Sequence, residues 1–474
     1  MQVNENLLSL TDKMIISTTC YGGVKMILVE GGIMKKSRDT RIGIIGAGAA
    51  GLSAAYFLKE KGYRNITVLE RENYIGGMCC SPVIYGQAND MGALEVTPDY
   101  ENLLELIEEF DCEMLPVPEV ILIDAANGRQ YPLKELLDGL DMGDILLAIG
   151  KYFYELLRHS DSLRKPGFRD ISPELAKPFS QWLDDHNMGC LKRLFSIPVS
   201  CYGYGYIDEV PAAYVMKYMD YKNFATVLYV FGFEYVGFEP HWPKMLRNGL
   251  QDLMEQIAGT LPDVRKNITV KQVRRNAGGT GPIEVDVEYK ENGTTETLVF
   301  DELILAIQQE TSLLQFMDLT DTEKALFDKV RFNNYFTTAC EVKDFTHNGF
   351  AELMRNGEIV LPENGYPFIL VKIWEESDIM VVYSYGDNSL TVDDIQERLK
   401  KHVADIGREL VKIHETRQWN YFPHVSSEDI GAGFYDDFEK LQGQNSTYYT
   451  GGVANFELVE NVIAYSKDLV KRFF

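Results

Sequence analysis

The feature that most limits the possible folds is an apolar run that breaks into glycines and resumes as a helix. Arg41-Ile-Gly-Ile-Ile45 reads as a buried strand, leading directly into Gly46-Ala-Gly48-Ala-Ala-Gly51 and a helical stretch over residues 52–61. Gly46 permits the tight turn, and Gly48 lets the backbone approach a pyrophosphate. Gly51 lets helix and strand pack closely, while Ala49 and Ala50 open the helix whose N-terminus attracts the anion. The next apolar strand, residues 66–69, ends at Glu70. That places a carboxylate roughly 20 residues past the glycines, where the ribose hydroxyls of an adenine dinucleotide lie. The pattern predicts an α/β, doubly wound dinucleotide-binding unit. No second Gly-x-Gly-x-x-Gly follows, so one dinucleotide is expected and a two-nucleotide reductase is disfavoured.

At 474 residues the chain is long enough for two or three intertwined domains, and 45% apolar residues suffice to fill them. Its 46 basic and 71 acidic residues give a net charge of -25, which repels phosphate backbones, so no nucleic-acid partner is expected. The 7 cysteines show no disulfide or metal spacing, and a reduced, cytoplasmic setting with no metal follows. No apolar stretch reaches the roughly 18–20 residues of a transmembrane span. The nearest, residues 227–233, is interrupted by Glu234. Residues 1–35 read as an extension, disordered or outside the mature protein, because a natural start lies at Met34-Lys35-Lys36.

Arg71 and the pair Gly76-Gly77 follow Glu70, and a glycine pair beyond the ribose acid resembles the flavin amine oxidase superfamily. The resemblance implies FAD rather than NAD, in a Rossmann-type domain whose glycine-pair loop crosses the pyrophosphate. Met78 stands where most relatives carry Lys or Arg. The same likeness brings Met91-Gly92-Ala93 against the flavin ring and makes residues 301–307, with Ala306, a strand returning to the dinucleotide domain. It adds Val270 to the cofactor set. At the C-terminus, Thr447-Tyr-Tyr-Thr-Gly451-Gly452 reads as a strand and turn before a helix over residues 459–473. Backbone amides of Asn461 and Val462 there are placed to stabilise charge on reduced flavin. Relatives carry Glu where Gly452 stands, which removes a ribityl hydrogen bond. No cysteine follows Cys340, so a C-terminal thioether is excluded and FAD is expected to bind non-covalently.

Longer segments carry a closer likeness. Trp419-Asn-Tyr-Phe-Pro-His-Val-Ser-Ser-Glu-Asp429, Tyr465-Ser-Lys-Asp-Leu-Val-Lys-Arg-Phe473, Tyr202-Gly-Tyr-Gly-Tyr206 and Val210-Pro-Ala-Ala-Tyr-Val-Met-Lys-Tyr218 resemble polyenoic fatty acid isomerase, from about Lys36 onward. In that family flavin N5 accepts a hydride from the methylene between two double bonds and returns it at another carbon, without net redox change. Such chemistry asks the protein for an apolar tunnel and exclusion of water rather than for catalytic side chains.

The implied plan has an FAD-binding domain over residues 36–95, 240–310 and 430–474. A mixed-sheet substrate domain spans 96–130 and 311–429, and a helical cap spans 131–239. Within the cap, Ile145, Leu146, Ile149, Phe153 and Leu156 recur at helical spacing, and residues 172–194 continue in the same style. Tyr202, Tyr204, Tyr218, Tyr221, Tyr421 and Phe422 are candidates for lining the substrate tunnel. Ordinary aromatic core is the competing reading for them, as structural packing is for His424. The family holds its substrate carboxylate with an arginine, but the matching Val120-Ile-Leu-Ile-Asp124 has no base. A small-molecule fatty-acid or other apolar substrate is therefore expected, without its identity. An FAD-dependent oxidase or desaturase of an amine or lipid is the alternative.

Overall fold

The computed structural model describes residues 17–21, 24–28, 36–119, 121–124, 129–233, 242–276, 281–345, 349–355, 358–359 and 363–474. Its first layer is a five-stranded parallel sheet in the spatial order Val264–Arg265, Asn65–Leu69, Arg41–Ile45, Glu302–Leu305, Thr447–Tyr449. The central strand lies between its neighbours with Ile42, Ile44 and Ile45 buried, as a parallel strand covered on both faces requires. The helices Ala49–Glu60 and Val459–Phe473 pack together on this sheet, where Ser466 Oγ donates to the Ala50 carbonyl at 3.0 Å. The first and last parts of the chain thus share one domain, and the expected fold class holds.

A three-stranded antiparallel sheet, Ile268–Arg274, Ile283–Tyr289 and Thr295–Phe300, flanks the parallel one. The other large layer is an eight-stranded mixed sheet built on the long strands Arg331–Lys343 and Glu409–His424, paired antiparallel. Ile121–Asp124 joins it parallel to Gly349–Arg355. Helices cover the space between. The longest of them, Met142–Arg158, is capped by Asp141, whose carboxylate accepts from the Asp144 amide at 3.0 Å. It buries Ile145, Ile149 and Leu156 as the periodicity predicts, whereas Leu146 is 55% exposed. Position 146 falls on the outward row with Leu147 and Tyr154, so the apolar stripe is wider than the buried face. Residues 172–194 form no continuous helix but the short turns Pro173–Ala176, Phe179–Asp185 and Gly189–Leu191 before the helix Lys192–Cys201.

Within the expected N-terminal extension, Ser17–Tyr21 and Val24–Leu28 pair as an antiparallel hairpin. The rest of residues 1–35 lies outside the described residues, as do Val120 and residues 234–239 of the cap. No helix among the described residues is long and apolar enough to cross a membrane.

Arg275 ties these layers together. Its guanidinium, 2% exposed, meets Glu323 at 2.6 Å and Asp318 at 2.6 Å, and Tyr449 of the parallel sheet donates to the same Glu323. Burial pushes the Glu323 carboxyl up, but the bonds from Arg275 and Tyr449 outweigh it and hold the group below its ordinary range. Glu323→Ala, leaving Arg275 buried without its main partner, is expected to cost roughly 3–5 kcal/mol. Denaturant unfolding measures this, and a loss below about 1 kcal/mol would show the pair to be dispensable.

Candidate functional site

The glycine turn is held from three sides by backbone. The Gly46 amide donates to the Leu69 carbonyl at 2.9 Å, and the Ala306 amide donates to Ile45 at 2.9 Å. Gly46 takes φ 106°, a conformation that disfavours any side chain, and a Cβ on it would lie 2.8 Å from the Ala306 oxygen. A Cβ on Gly51 would overlap the Gly46 carbonyl. From the third side the Gly76 amide donates to Ala47 at 2.9 Å, bringing the glycine pair against Gly48. Two glycine-bearing loops therefore face each other at the N-terminus of the helix Ala49–Glu60, whose first amides have no intrahelical acceptor. That is a geometry for an anion.

Glu70 fixes this arrangement. Its Oε2 accepts from the Ala47 amide at 2.8 Å and its Oε1 from the Glu72 amide at 2.7 Å, and the residue is 9% exposed. It is a buried clamp between the loops with lone pairs to spare. Arg71, expected beside it as a cofactor contact, instead turns outward to Glu72 with its side chain 73% exposed. Val270 lies two residues beyond Ile268, whose amide donates to the Glu70 carbonyl at 2.8 Å, so it borders the acid's strand from the antiparallel sheet.

Beyond the glycine pair, the Ala93 amide donates to the Met78 carbonyl at 3.2 Å, and a Cβ on Gly92 would overlap that same oxygen. Met91 is fully buried, while Met78, Gly92 and Ala93 are half-buried. On the C-terminal side the strand Thr447–Tyr449 ends in Gly451-Gly452, and a short helix, Gly452–Asn455, intervenes before Val459–Phe473. The Val462 amide donates to the Leu458 carbonyl at 3.0 Å; Asn461, one residue earlier in the same turn, keeps its side-chain Nδ2 buried and without a hydrogen-bond partner among the described residues.

The aromatic candidates split into two groups. Tyr204 is the hub, with ring centroids 5.0 Å from Tyr218, 5.8 Å from Tyr421 and 5.3 Å from Phe422. Tyr204, Tyr218 and Phe422 are buried and back the pocket as packed core. Tyr202 is 37% exposed and packs edge-on against Tyr218 at 6.1 Å, and Tyr421 is half-buried. Tyr221 belongs to neither group. Its half-buried ring packs against the core and lies 5.7 Å from the Arg164 guanidinium, at the start of the helix that Asp220 caps. His424 Nδ1 donates to the Phe422 carbonyl at 2.7 Å and the imidazole stacks on that ring, the packed, hydrogen-bonded role.

What the sequence did not reveal is a set of shielded acids, Asp90 and Glu460 buried, Glu95 and Glu457 half-buried. Asp90 accepts from Ser81 and from the Leu250 amide at 3.1 Å, and burial pushes it up to about 7. Glu460 accepts from Asn102 Nδ2 at 2.6 Å and the Leu103 amide at 2.8 Å, bracing the C-terminal helix. Glu95 lies beside the aromatic cluster, where burial raises its pKa and a hydrogen bond with Tyr202 opposes that rise. Glu457 lies at the Gly451-Gly452 turn, raised by burial to about 8. An acid two or five residues past a glycine site was the available signal, but nothing local says that it is buried.

A profile of the family described as flavin containing amine oxidoreductase matches residues 49–337. The fold is similar to that of the CLA-producing fatty acid isomerase from P. acnes, with a TM-score of 0.80 and 27% identity over 93% of this chain and 100% of that one. Among curated proteins, the chain is 24% identical to the FAD-dependent oxidoreductase dpasF of Apiospora sacchari, over 93% of this chain and 94% of that protein. It is 22% identical to the polyenoic fatty acid isomerase of Ptilota filicina, over 92% and 95%.

A Cβ on Gly48 would meet Gly76 and Gly77 only at 3.8 Å, ordinary contact distance. Gly48→Val is thus expected to fold and yet to lose flavin, through the branched side chain in the anion's place; full flavin content by absorbance in that variant would mislocate the site. Glu70→Ala, which frees two backbone amides, is expected to weaken FAD binding by roughly 1–3 kcal/mol and to lower the apoprotein's melting temperature as well. Unchanged affinity in a fluorescence titration would remove Glu70 from the site.

Proposed function

The chain belongs to the flavin containing amine oxidoreductase family, and from that premise we propose that it is an FAD-dependent double-bond isomerase of a polyunsaturated fatty acid or related lipid. The observation that carries this reading is the similarity, over almost the whole chain, to a fatty acid isomerase, joined to a cluster of rings in which Tyr204 meets Tyr218, Tyr421 and Phe422. The residues fit a flavin dinucleotide. Gly48 and Gly77 form a side-chain-free cradle, and Glu457 Oε2 and Asn461 Nδ2 are buried polar atoms awaiting partners.

The helix start at Ala49–Gly51 and the loop at Gly76-Gly77 would hold the pyrophosphate, Glu70 and Val270 the adenosine end, and Met78, Gly92, Ala93, Ala306, Gly451, Gly452 and Asn461 the flavin end. Non-covalent attachment is part of the proposal. Bound flavin supplies reversible hydride transfer, so a double bond can move without an external oxidant. The protein's share is to hold an extended apolar chain at one register and to keep water out. Rings packed edge-on, stacked and tilted around Tyr204 supply a rigid aromatic surface for this.

A second reading, an FAD-dependent oxidase or desaturase of an amine or lipid, is favoured by Glu95. A carboxyl beside the aromatic cluster, with a tyrosine hydroxyl as its hydrogen-bond partner, suits a substrate bearing a donor or a positive charge better than one ending in a carboxylate.

With linoleate, in the absence of oxygen and NAD(P)H, the holoprotein is expected to form conjugated diene over many turnovers, followed by ultraviolet absorbance. Unanchored by an arginine, the acid is expected to yield mixed regioisomers. Stoichiometric bleaching of the flavin, recovering only when oxygen is admitted and with peroxide produced, would overturn the isomerase and establish the oxidase.

A further inference from the structure

Glu457 occupies the link between the short helix Gly452–Asn455 and the C-terminal helix Val459–Phe473. The link is anchored on both sides of it. Phe456, at φ 76°, inserts its ring against Tyr204 at 4.7 Å and stacks on Tyr218 at 5.8 Å, and the Tyr204 hydroxyl donates to the Glu457 carbonyl at 3.3 Å. The side chain is thereby directed at the Gly451-Gly452 turn. A Cβ on Gly452 would overlap Glu457 Oε2, so this carboxyl fills the space into which a side chain at position 452 would project.

That oxygen is enclosed and has no hydrogen-bond partner among the described residues. The titratable groups facing it are Tyr421, from the strand Glu409–His424, and Cys79, from the loop beyond the glycine pair. Neither is a cation. On its own element the nearest acid, Glu460, is engaged by Asn102 and Leu103. Burial without a counter-charge pushes Glu457 up to about 8, so at neutral pH it carries a proton and offers an O–H. A lone buried carboxyl costs stability, and the cost is offset only when the group meets a partner.

We propose that Glu457 is a cofactor-binding residue, its protonated carboxyl donating a hydrogen bond to a polar group of the bound flavin dinucleotide at the Gly451-Gly452 turn. Residue 457 thereby supplies, from the far side of the turn, the contact that Gly452 cannot make. The inference rests on the flavin reading and is independent of whether the enzyme isomerises or oxidises.

The test is the dissociation constant of FAD, from flavin fluorescence quenching on the full-length apoprotein, for wild type, Glu457→Gln and Glu457→Leu. Bound flavin holds the donor proton more tightly, so wild-type affinity is expected in full below about pH 8 and to fall as pH rises beyond it. Glu457→Gln, a donor without a titration, is expected within about threefold of wild type at neutral pH and free of that fall. Glu457→Leu is expected to bind about tenfold more weakly, while its apoprotein melts no lower than wild type, since an unpaired buried carboxyl has been removed. Leucine binding FAD as wild type does would overturn the proposal. So would a glutamine variant that keeps the wild-type pH profile, a result that stands even if the leucine variant fails to fold.

Discussion

The carboxylate of Glu70 is the contact on which the site's shape depends. By accepting the amides of Ala47 and Glu72 it joins the turn that leaves the central strand to the loop that follows the next strand. The Gly76 amide then closes on Ala47, and the two glycine loops come face to face. None of this tolerates side chains at Gly46 or Gly51, because carbonyl oxygens already occupy the space. A concave surface of backbone is left at a helix N-terminus, where it suits a pyrophosphate.

The remaining layers hold the other end of the site against this one. Arg275, buried among Glu323, Asp318 and Tyr449, locks the edge strand that ends at Gly451 to the flanking sheet. Glu460 and Asn455 fix the start of the C-terminal helix, Asn455 through the Gly167 amide at 2.7 Å and the Asn461 carbonyl at 2.7 Å. The long strand Glu409–His424 then carries Tyr421 across to the rings of Tyr204 and Tyr335. The proposed site, drawn from residues near 48, 78, 95, 202, 421 and 457, is held by braces that each cross from one layer to another. For a reaction whose chemistry resides in the cofactor, that rigidity and the exclusion of water are what the polypeptide contributes.

The sequence was most legible where local sterics decide. The strand Arg41–Ile45, the glycine turn and the helix Val459–Phe473 stand where the residues predict them, since glycine placement and 3.6-residue periodicity are local properties. Burial decided the rest. Leu146 matches the helical period yet faces outward, because the period marks a stripe and not which edge of it is covered. Tyr221 and Tyr202 are both tyrosines of one aromatic-rich segment, yet Tyr202 packs on Tyr218 while Tyr221, at the start of the helix capped by Asp220, meets Arg164 instead. The Val462 amide sits in the expected turn but one residue too deep to be free. Glu95 and Glu457 were unremarked acids in a chain with 71 of them, and their burial emerges only when distant strands close around them.

The central claim is that hydrogen leaves the substrate and returns to it within one turnover. Linoleate carrying deuterium on the methylene between its double bonds, incubated anaerobically with the holoprotein, tests this directly by mass spectrometry of the product. The account predicts a conjugated isomer of unchanged hydrogen count that retains deuterium at a new carbon. A product two hydrogens poorer, with the deuterium lost to solvent or peroxide, would contradict it.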